Sequence, residues 1–307
     1  MALPDASGSP VLGVNGPSAP TLPAAPCSQG HLGGAMVPLG IRFYGLGAIA
    51  LGVVGIVWGD FALQWQPVAA WFPGRTVLAQ MFAAALVLAG ACVNDLNPSK
   101  RRREVVLGAA ALAGLYAVVV VFMHGPLIIQ HPIAIATWSG VAEQATLVAG
   151  GLAAYAYLTH TAQGVTRRNS MGPDLGRAGV VLMGLCLLMF GVAHFVYLDF
   201  TASMVPQWLP GSQKFWAAAT GIGHLAGGVA LLTGVRARLA AFAVTAMFGS
   251  FSILVHLPLI LTDPRAHLSW VMNAINLALT GAAWAVATYI ASTQKAPAAE
   301  RLQRVLQ

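Results

Sequence analysis

Eight long apolar segments follow Ile41, and few charged residues interrupt them. Each segment is close to the roughly 20 residues that an α-helix needs to cross about 30 Å of hydrocarbon. None shows the alternation of a barrel strand, and a backbone in lipid must satisfy its own hydrogen bonds. The sequence therefore predicts an all-α, polytopic membrane protein with eight transmembrane helices. Their approximate limits are residues 41–58, 76–94, 104–123, 133–157, 176–198, 212–233, 236–260 and 267–291.

Composition supports a membrane protein and argues against a nucleic-acid-binding protein. The chain is 57% hydrophobic and only 8% charged, whereas about a quarter of the residues in a soluble domain are charged. The net charge of +7 would suit nucleic acid, but the basic residues lie in short connectors and not on a face of their own. We therefore expect the lipid bilayer as a partner, and no nucleic acid.

The distribution of Lys and Arg predicts the topology. Of the 16 basic residues, three fall on one side of the membrane: Arg75, Lys214 and Arg265. The other 13 fall on the opposite side: Arg42, Lys100, Arg101, Arg102, Arg103, Arg167, Arg168, Arg177, Arg236, Arg238, Lys295, Arg301 and Arg304. Because cytoplasmic loops are enriched in Lys and Arg, both termini are predicted to be cytoplasmic, in a plasma (inner) membrane.

One phrase occurs twice. Residues 121–132 read VFMHGPLIIQHP and residues 253–264 read ILVHLPLILTDP, an offset of 132 that also relates Trp138 to Trp270. The sequence WFPG at residues 71–74 matches WLPG at residues 208–211, at an offset of 137. These matches indicate an internal duplication. Since each copy has an even number of spans, the two four-helix repeats are expected to lie parallel in the membrane.

The duplication sets the predicted domain organisation. Residues 1–40 are rich in Pro, Gly, Ser and Ala and are interpreted as a disordered cytoplasmic tail. The first membrane repeat spans residues 41–160, a basic cytoplasmic linker spans 161–175, and the second repeat spans 176–292. Residues 293–307 form a second predicted cytoplasmic tail.

Three histidines of the second repeat are the main candidates for chemistry: His194, His224 and His256. His224 lies about 18 Å into its span at 1.5 Å per residue, where an ionisable group is costly and usually faces the bundle interior. Imidazole at these positions suits a metal or haem ligand, a hydrogen-bond donor to a quinone, or a proton relay. The structural alternative is that each histidine bonds a backbone carbonyl and fixes helix packing.

The first repeat offers a different set of candidate residues, in which a carboxylate accompanies histidines. Glu143 is the only acid inside a span, and a buried carboxylate there is protonated or paired. His124 and His131 are its expected partners. A proton-handling pair is therefore one hypothesis, and a solvated Glu143 is the other.

The two Trp-Pro connectors are predicted to lie at the membrane interface, and a lid over an outward-facing pocket is the alternative. The lid residues are Trp71, Pro73, Trp208 and Pro210.

A family resemblance covers about residues 176–290. Its motifs are GVAHF at residues 191–195, MVPQWLP at 204–210, TGIGH at 220–224, Gly227-Gly228, Leu231-Leu232, residues 236–241 and His256. This string resembles the DoxX-like (DoxX/DoxD) membrane proteins, with the first half a diverged copy of the same unit. The resemblance implies a four-helix bundle and implicates quinone-linked sulfur or thiol redox, or envelope complexes.

The chain departs from the family pattern at one position. Such proteins usually carry Glu in the second helix where this sequence has His224. The first repeat has Val87 there and, if one gap is allowed, Trp58 opposite His194. Copy one keeps only His124 of the histidine set. If the protein has one site, we therefore expect it in the second repeat.

Three functions remain open from the sequence. The first is a redox-associated protein that binds a quinone-type hydrophobic carrier and works with membrane or periplasmic redox partners. The second is a non-enzymatic envelope component that handles a complex, a cargo or lipid, and the third is haem or copper binding by His194, His224 and His256. Three isolated cysteines without CxxC spacing speak against autonomous thiol oxidation.

Overall fold

The described part of the chain is predominantly helical. A computed structural model describes the backbone of residues 36–97, 101–162 and 171–305, and the side chains of residues 36–97, 101–160 and 174–294. Every regular element in these ranges is a helix, which confirms the predicted all-α class. The predicted tail up to residue 35 and the linker residues 163–170 lie outside the described residues.

Eleven α-helices are formed within the described ranges: α1 Leu39–Trp58, α2 Arg75–Val93, α3 Arg102–Val118, α4 Gly125–Gln130, α5 Ile135–Ala162, α6 Met171–Val196, α7 Leu198–Met204, α8 Gln213–Thr233, α9 Ala237–Phe251, α10 Leu257–Thr262 and α11 His267–Val305. A π-helical segment, Val119–His124, joins α3 to α4, and another, Ser252–His256, joins α9 to α10. A 3-10 turn, Leu63–Trp65, lies between α1 and α2.

Seven helical segments of the described residues are long and apolar enough to cross a membrane, which is compatible with a multi-pass membrane protein. They are Leu39–Trp58, Arg75–Val93, Arg102–Gln130, Asp174–Val196, Gln213–Thr233, Ala237–Thr262 and His267–Gln294. α5, at the predicted fourth span, is not one of them. It carries Glu143 and Gln144 and packs against α3, α6 and α11.

The two halves of the chain have the same order of helix contacts. In the first half α1 packs on α2, α2 on α3 and α3 on α5; in the second, α6 packs on α8, α8 on α9 and α9 on α11. The last helix of each half packs on the first helix of the other, α11 on α1 and α5 on α6, and α5 also packs on α11. The two final helices therefore lie at the centre of the molecule.

Small residues allow these central helices to approach closely. A Cβ atom on Gly150 would overlap Ala282, and one on Gly47 would overlap Ala278. Gly179 lies against α5, where a Cβ would come within 2.8 Å of the Ala149 carbonyl oxygen. Small residues at such contacts are typical of membrane helices, whose association depends on van der Waals packing at short range.

The two copies of the repeated phrase have the same local structure. His124 and His256 each end a π-helical segment, and Pro126 and Pro258 lie in the first turn of the short helix that follows. The helix runs through both prolines, and a wider π-helical turn suits the residues before them because proline cannot donate to the preceding turn and its ring crowds the carbonyl there. The Trp138 indole donates to the Pro132 carbonyl at 2.8 Å, as Trp270 does to Pro264 at 2.9 Å.

One buried hydrogen bond ties α1 to α5, and its loss can be measured. The Tyr44 hydroxyl donates to the Leu147 carbonyl at 2.8 Å, whereas the neighbouring buried Tyr116 hydroxyl has no partner among the described residues. We expect Tyr44→Phe to lower the free energy of unfolding in detergent by about 1 kcal/mol, the usual net value of such a bond. Tyr116→Phe is the matched control and should change it by less than about 0.5 kcal/mol. Equal losses in the two variants would contradict this assignment.

Candidate functional site

Two of the predicted histidines meet near one end of the bundle. This end, called the histidine end below, is the one at which Trp58, His124, His194 and His267 lie. The rings of His194 and His224 have their centroids 4.7 Å apart and are inclined by 56°. A Cβ atom on Gly221 would come within 3.0 Å of the His194 Cβ, so the glycine allows α8 to lie close to α6 here.

The two rings differ in their hydrogen bonding. His194 is partly exposed, and its Nδ1 lies 2.8 Å from the Phe190 carbonyl oxygen one turn earlier. A carbonyl oxygen can only accept, so Nδ1–H is the donor and Nε2 of the neutral ring is an acceptor. His224 is 1% exposed, and its Nδ1 has no partner among the described residues. The unpaired nitrogen of His224 is thus a polar atom held inside the bundle without a bond.

Aromatic side chains enclose His224. Its ring centroid lies 5.5 Å from Phe190, 5.5 Å from Phe248 and 6.3 Å from Phe251. Phe190 comes from α6, while Phe248 and Phe251 come from the last turn of α9. The sequence did not single out these three phenylalanines, because apolar residues in a membrane span carry no individual signal. Together these three rings give the His224 side chain apolar, aromatic surroundings.

His256 forms no metal-ligand group with this pair in the described residues. It is partly buried at the end of its π-helical segment, and its Nδ1 has no partner among the described residues. Within the described ranges, no group of three or more His, Cys, Asp or Glu side chains is placed to hold a metal ion. The structure therefore brings together His194 and His224, and the predicted three-histidine set does not form a ligand group.

The connector between α1 and α2 has a buried part that the sequence did not single out. The 3-10 turn and the residue after it place Trp65 and Gln66 inside the bundle. The buried His124 ring lies with Nε2 3.2 Å from the Trp65 carbonyl oxygen, to which it donates. Glu143 lies beside the Trp65 side chain, but the indole N–H does not reach hydrogen-bond geometry with it. His131, the other expected partner of Glu143, is exposed.

The predicted lid residues are on the surface. Trp71 and Pro73 precede α2, Trp208 and Pro210 precede α8, and all four side chains are exposed. The second connector is held by Gln213, whose amide donates to the Val205 carbonyl, and by Trp216, whose indole donates to the Pro210 carbonyl at 2.8 Å. Exposed tryptophans at helix ends are typical of the headgroup level of a membrane.

A contact between the halves also lies at the histidine end. The Trp58 ring stacks on His267, with centroids 5.0 Å apart and planes inclined by 10°. Trp58 is the residue that the sequence comparison of the repeats placed opposite His194. Both halves thus have an aromatic side chain near this position, and in the first half the Trp58 ring links α1 to α11 by stacking on His267.

One comparison with known proteins gives a match, and it lies in the second half of the chain. Residues 183–293 match the model of a domain of unknown function (DUF8561). No curated protein and no solved structure matches the chain. The matched range contains His194, His224, His256 and the phenylalanines around His224, and it contains no residue of the first half of the chain.

Proposed function

We propose that this chain is a DoxX-like, redox-associated membrane protein that binds a quinone-type hydrophobic carrier at the His194–His224 pair. The observation that carries the proposal is the unpaired Nδ1 of His224, buried among Phe190, Phe248 and Phe251 and next to His194. Buried polar atoms nearly always have a partner, so an unpaired one next to a partly exposed group indicates a ligand.

The chemistry of a quinone suits this pair. A quinone head is flat and apolar, and its two carbonyl oxygens accept hydrogen bonds. An imidazole N–H in apolar surroundings can donate to such an oxygen, and aromatic side chains can pack on the ring. His194 is partly exposed and lies near Phe195 and Val196, both exposed, so a carrier dissolved in the bilayer would reach the pair through this side of α6.

The architecture that we propose for the protein is two parallel four-helix repeats with eight transmembrane helices, α5 being the eighth. Support comes from the repeated order of helix contacts, from the two π-helical segments and from Gly150 and Ala282, which face each other at the duplication offset of 132. In this arrangement the two halves are related as the subunits of a dimer would be.

The orientation that we propose places both termini in the cytoplasm and the histidine end outside the plasma (inner) membrane. Basic residues in the described connectors support it, because Arg101, Arg102 and Arg103 begin α3 at the opposite end from the histidines. Electrons would then be exchanged with a membrane or periplasmic partner. The described free thiols, Cys92 and Cys186, lie on α2 and α6.

Quinone binding to the detergent-purified protein tests the proposal. A short-chain quinone titrated against tryptophan fluorescence should bind, and His224→Ala should weaken binding about 3- to 10-fold, the effect of one lost hydrogen bond. His194→Ala should act in the same direction, because it removes the neighbour that positions the His224 ring. The control is His160→Ala, an exposed histidine on α5.

Two outcomes would contradict the proposal. One is a purified protein that binds no quinone; the other is an affinity that changes equally in the His224 and His160 variants. Either would favour the alternative of a non-enzymatic envelope or lipid-handling protein whose histidines are structural. An optical spectrum and metal analysis of the same sample would reveal bound haem or copper.

A further inference from the structure

A second group of buried polar atoms without partners lies in the first repeat, away from the proposed quinone site. Within the described residues, neither the indole N–H of Trp65 nor the amide nitrogen of Gln66 has a partner, and both amide atoms of Gln144 are unpaired. Trp65 is 8% exposed, Gln66 4% and Gln144 0%. Leaving such atoms unbonded costs about 1–3 kcal/mol each, so they indicate molecules that bind beside them.

Backbone geometry places these residues around one stretch of α5. The His124 ring lies against Gly140, where a Cβ would come within 3.0 Å of Cε1. Glu143 and Gln144 follow Gly140 by three and four residues, within about one helical turn of it on α5. Trp65 joins the group from the other side, since its carbonyl binds His124 and its side chain lies beside Glu143.

The unpaired atoms of this group include donors and an acceptor, and water can bond both kinds. Trp65 and Gln66 offer N–H groups, while Gln144 offers both an amide N–H and a carbonyl oxygen. A water molecule accepts and donates at once and bonds two to four polar groups, so a few waters can satisfy all of these atoms. The carboxyl group of Glu143 would then border a small hydrated space.

No described cation neutralises Glu143. On the elements that pack around this part of the bundle, the charged or titratable side chains at the histidine end are Asp60, Arg75, Tyr116, His124, His131, His194 and His267. Arg75 is paired with Asp60, His194 is bonded to Phe190, and His267 is stacked on Trp58. A carboxyl group at membrane depth without a paired cation is far less costly in its neutral form.

We propose that Trp65, Gln66, His124, Glu143 and Gln144 form a hydrated proton-binding site. In it the Glu143 carboxylate takes a proton from a hydronium ion, forming an O–H bond and leaving water, and returns the proton to water by the reverse step. The bound waters connect the carboxyl group with the aqueous phase at the histidine end. The site is independent of quinone binding, because none of its residues belongs to the His194–His224 pair.

Infrared spectroscopy of the full chain tests this site. In a detergent without carbonyl groups at neutral pH, we expect a C=O band of a protonated carboxylic acid that shifts on transfer to D₂O. Glu143→Gln should abolish the band, Glu143→Asp should retain it at a shifted frequency, and Glu104→Gln should leave it unchanged. Glu104 is the matched control because it is exposed at the start of α3.

A second measurement tests the hydration. The rate of the H/D shift should fall at least tenfold in a Trp65→Phe, Gln144→Leu double variant, since two groups that hold the waters are removed. Three results would overturn the proposal: no carboxylic acid band in the wild type, a band that persists in Glu143→Gln, or an exchange rate unchanged in the double variant. Size-exclusion profiles confirm that each variant is folded.

Discussion

Substituting Gly281 by Ala is expected to destabilise the protein by about 1–3 kcal/mol through overpacking. A Cβ atom at Gly281 in α11 would overlap the backbone of Tyr44 in α1 and approach the Phe43 carbonyl carbon at 2.7 Å. Backbone atoms cannot rotate away as a side chain can, so the two helices must separate. Overpacking of this kind costs about 1–3 kcal/mol.

The control for this prediction is Gly114→Ala in α3. A Cβ at Gly114 would meet no atom within 4 Å, and the residue is exposed. Both changes gain the same helix propensity, about 1 kcal/mol in favour of Ala, so their difference reports packing alone. Thermal unfolding of the two detergent-purified variants measures it. Equal melting temperatures would mean that α1 and α11 are not in this close contact.

Substituting Asn276 by Leu is expected to loosen the junction between α9 and its π-helical segment. The buried Asn276 amide nitrogen donates to the Phe248 carbonyl at 2.7 Å and to the Ser252 hydroxyl at 2.8 Å. Leucine fills the space but leaves both acceptors without this donor. We expect the free energy of unfolding to fall by about 1–2 kcal/mol, a value near the upper end of hydrogen bonds measured between membrane helices.

Two variants separate the bond from a general effect of the substitution. Asn273→Leu makes the same change one turn earlier on α11, at a partly exposed side chain, and should alter stability by less than about 0.5 kcal/mol. Ser252→Ala should cost less than Asn276→Leu, and the double variant should lose less than the sum of the two, because the residues share a bond. Strict additivity would contradict the contact.

The Asn276 bond also bears on the proposed site. Phe248, whose carbonyl accepts it, has its ring 5.5 Å from the His224 ring. The matching position in the first repeat, 132 residues earlier, is Gln144, whose amide has no partner among the described residues. At equivalent positions, Asn276 therefore makes hydrogen bonds between helices, whereas the amide of Gln144 is unpaired within the described residues.

Much of the fold could be predicted because length and hydropathy are properties of each segment alone. The helices begin and end within a few residues of the predicted limits, as α1 and α8 do. α11 is the largest difference, since its helix continues to Val305, past the predicted end at residue 291. An apolar stretch marks the part of a helix that can lie in lipid, and it does not mark where the helix itself ends.

Less of the site could be predicted, because contacts between helices depend on rotation and depth. The histidines were visible as polar residues in apolar spans, but their partners were not. Spacing along the chain gave no reason for the His194 ring to contact the His224 ring. Likewise, Trp65 and Gln66 read as ordinary connector residues, yet the turn buries both.

The sequence by itself determined the helical class, the positions of the helices and the recurrence of one phrase, since these follow from hydropathy, proline placement and offset. Only the tertiary structure decided which polar residues share a space. It paired His194 with His224 through the close approach at Gly221, and it folded Trp65 against His124 and Glu143. The physical reason is that apolar faces of membrane helices resemble one another, so small residues and buried turns, and not hydropathy, select the contacts.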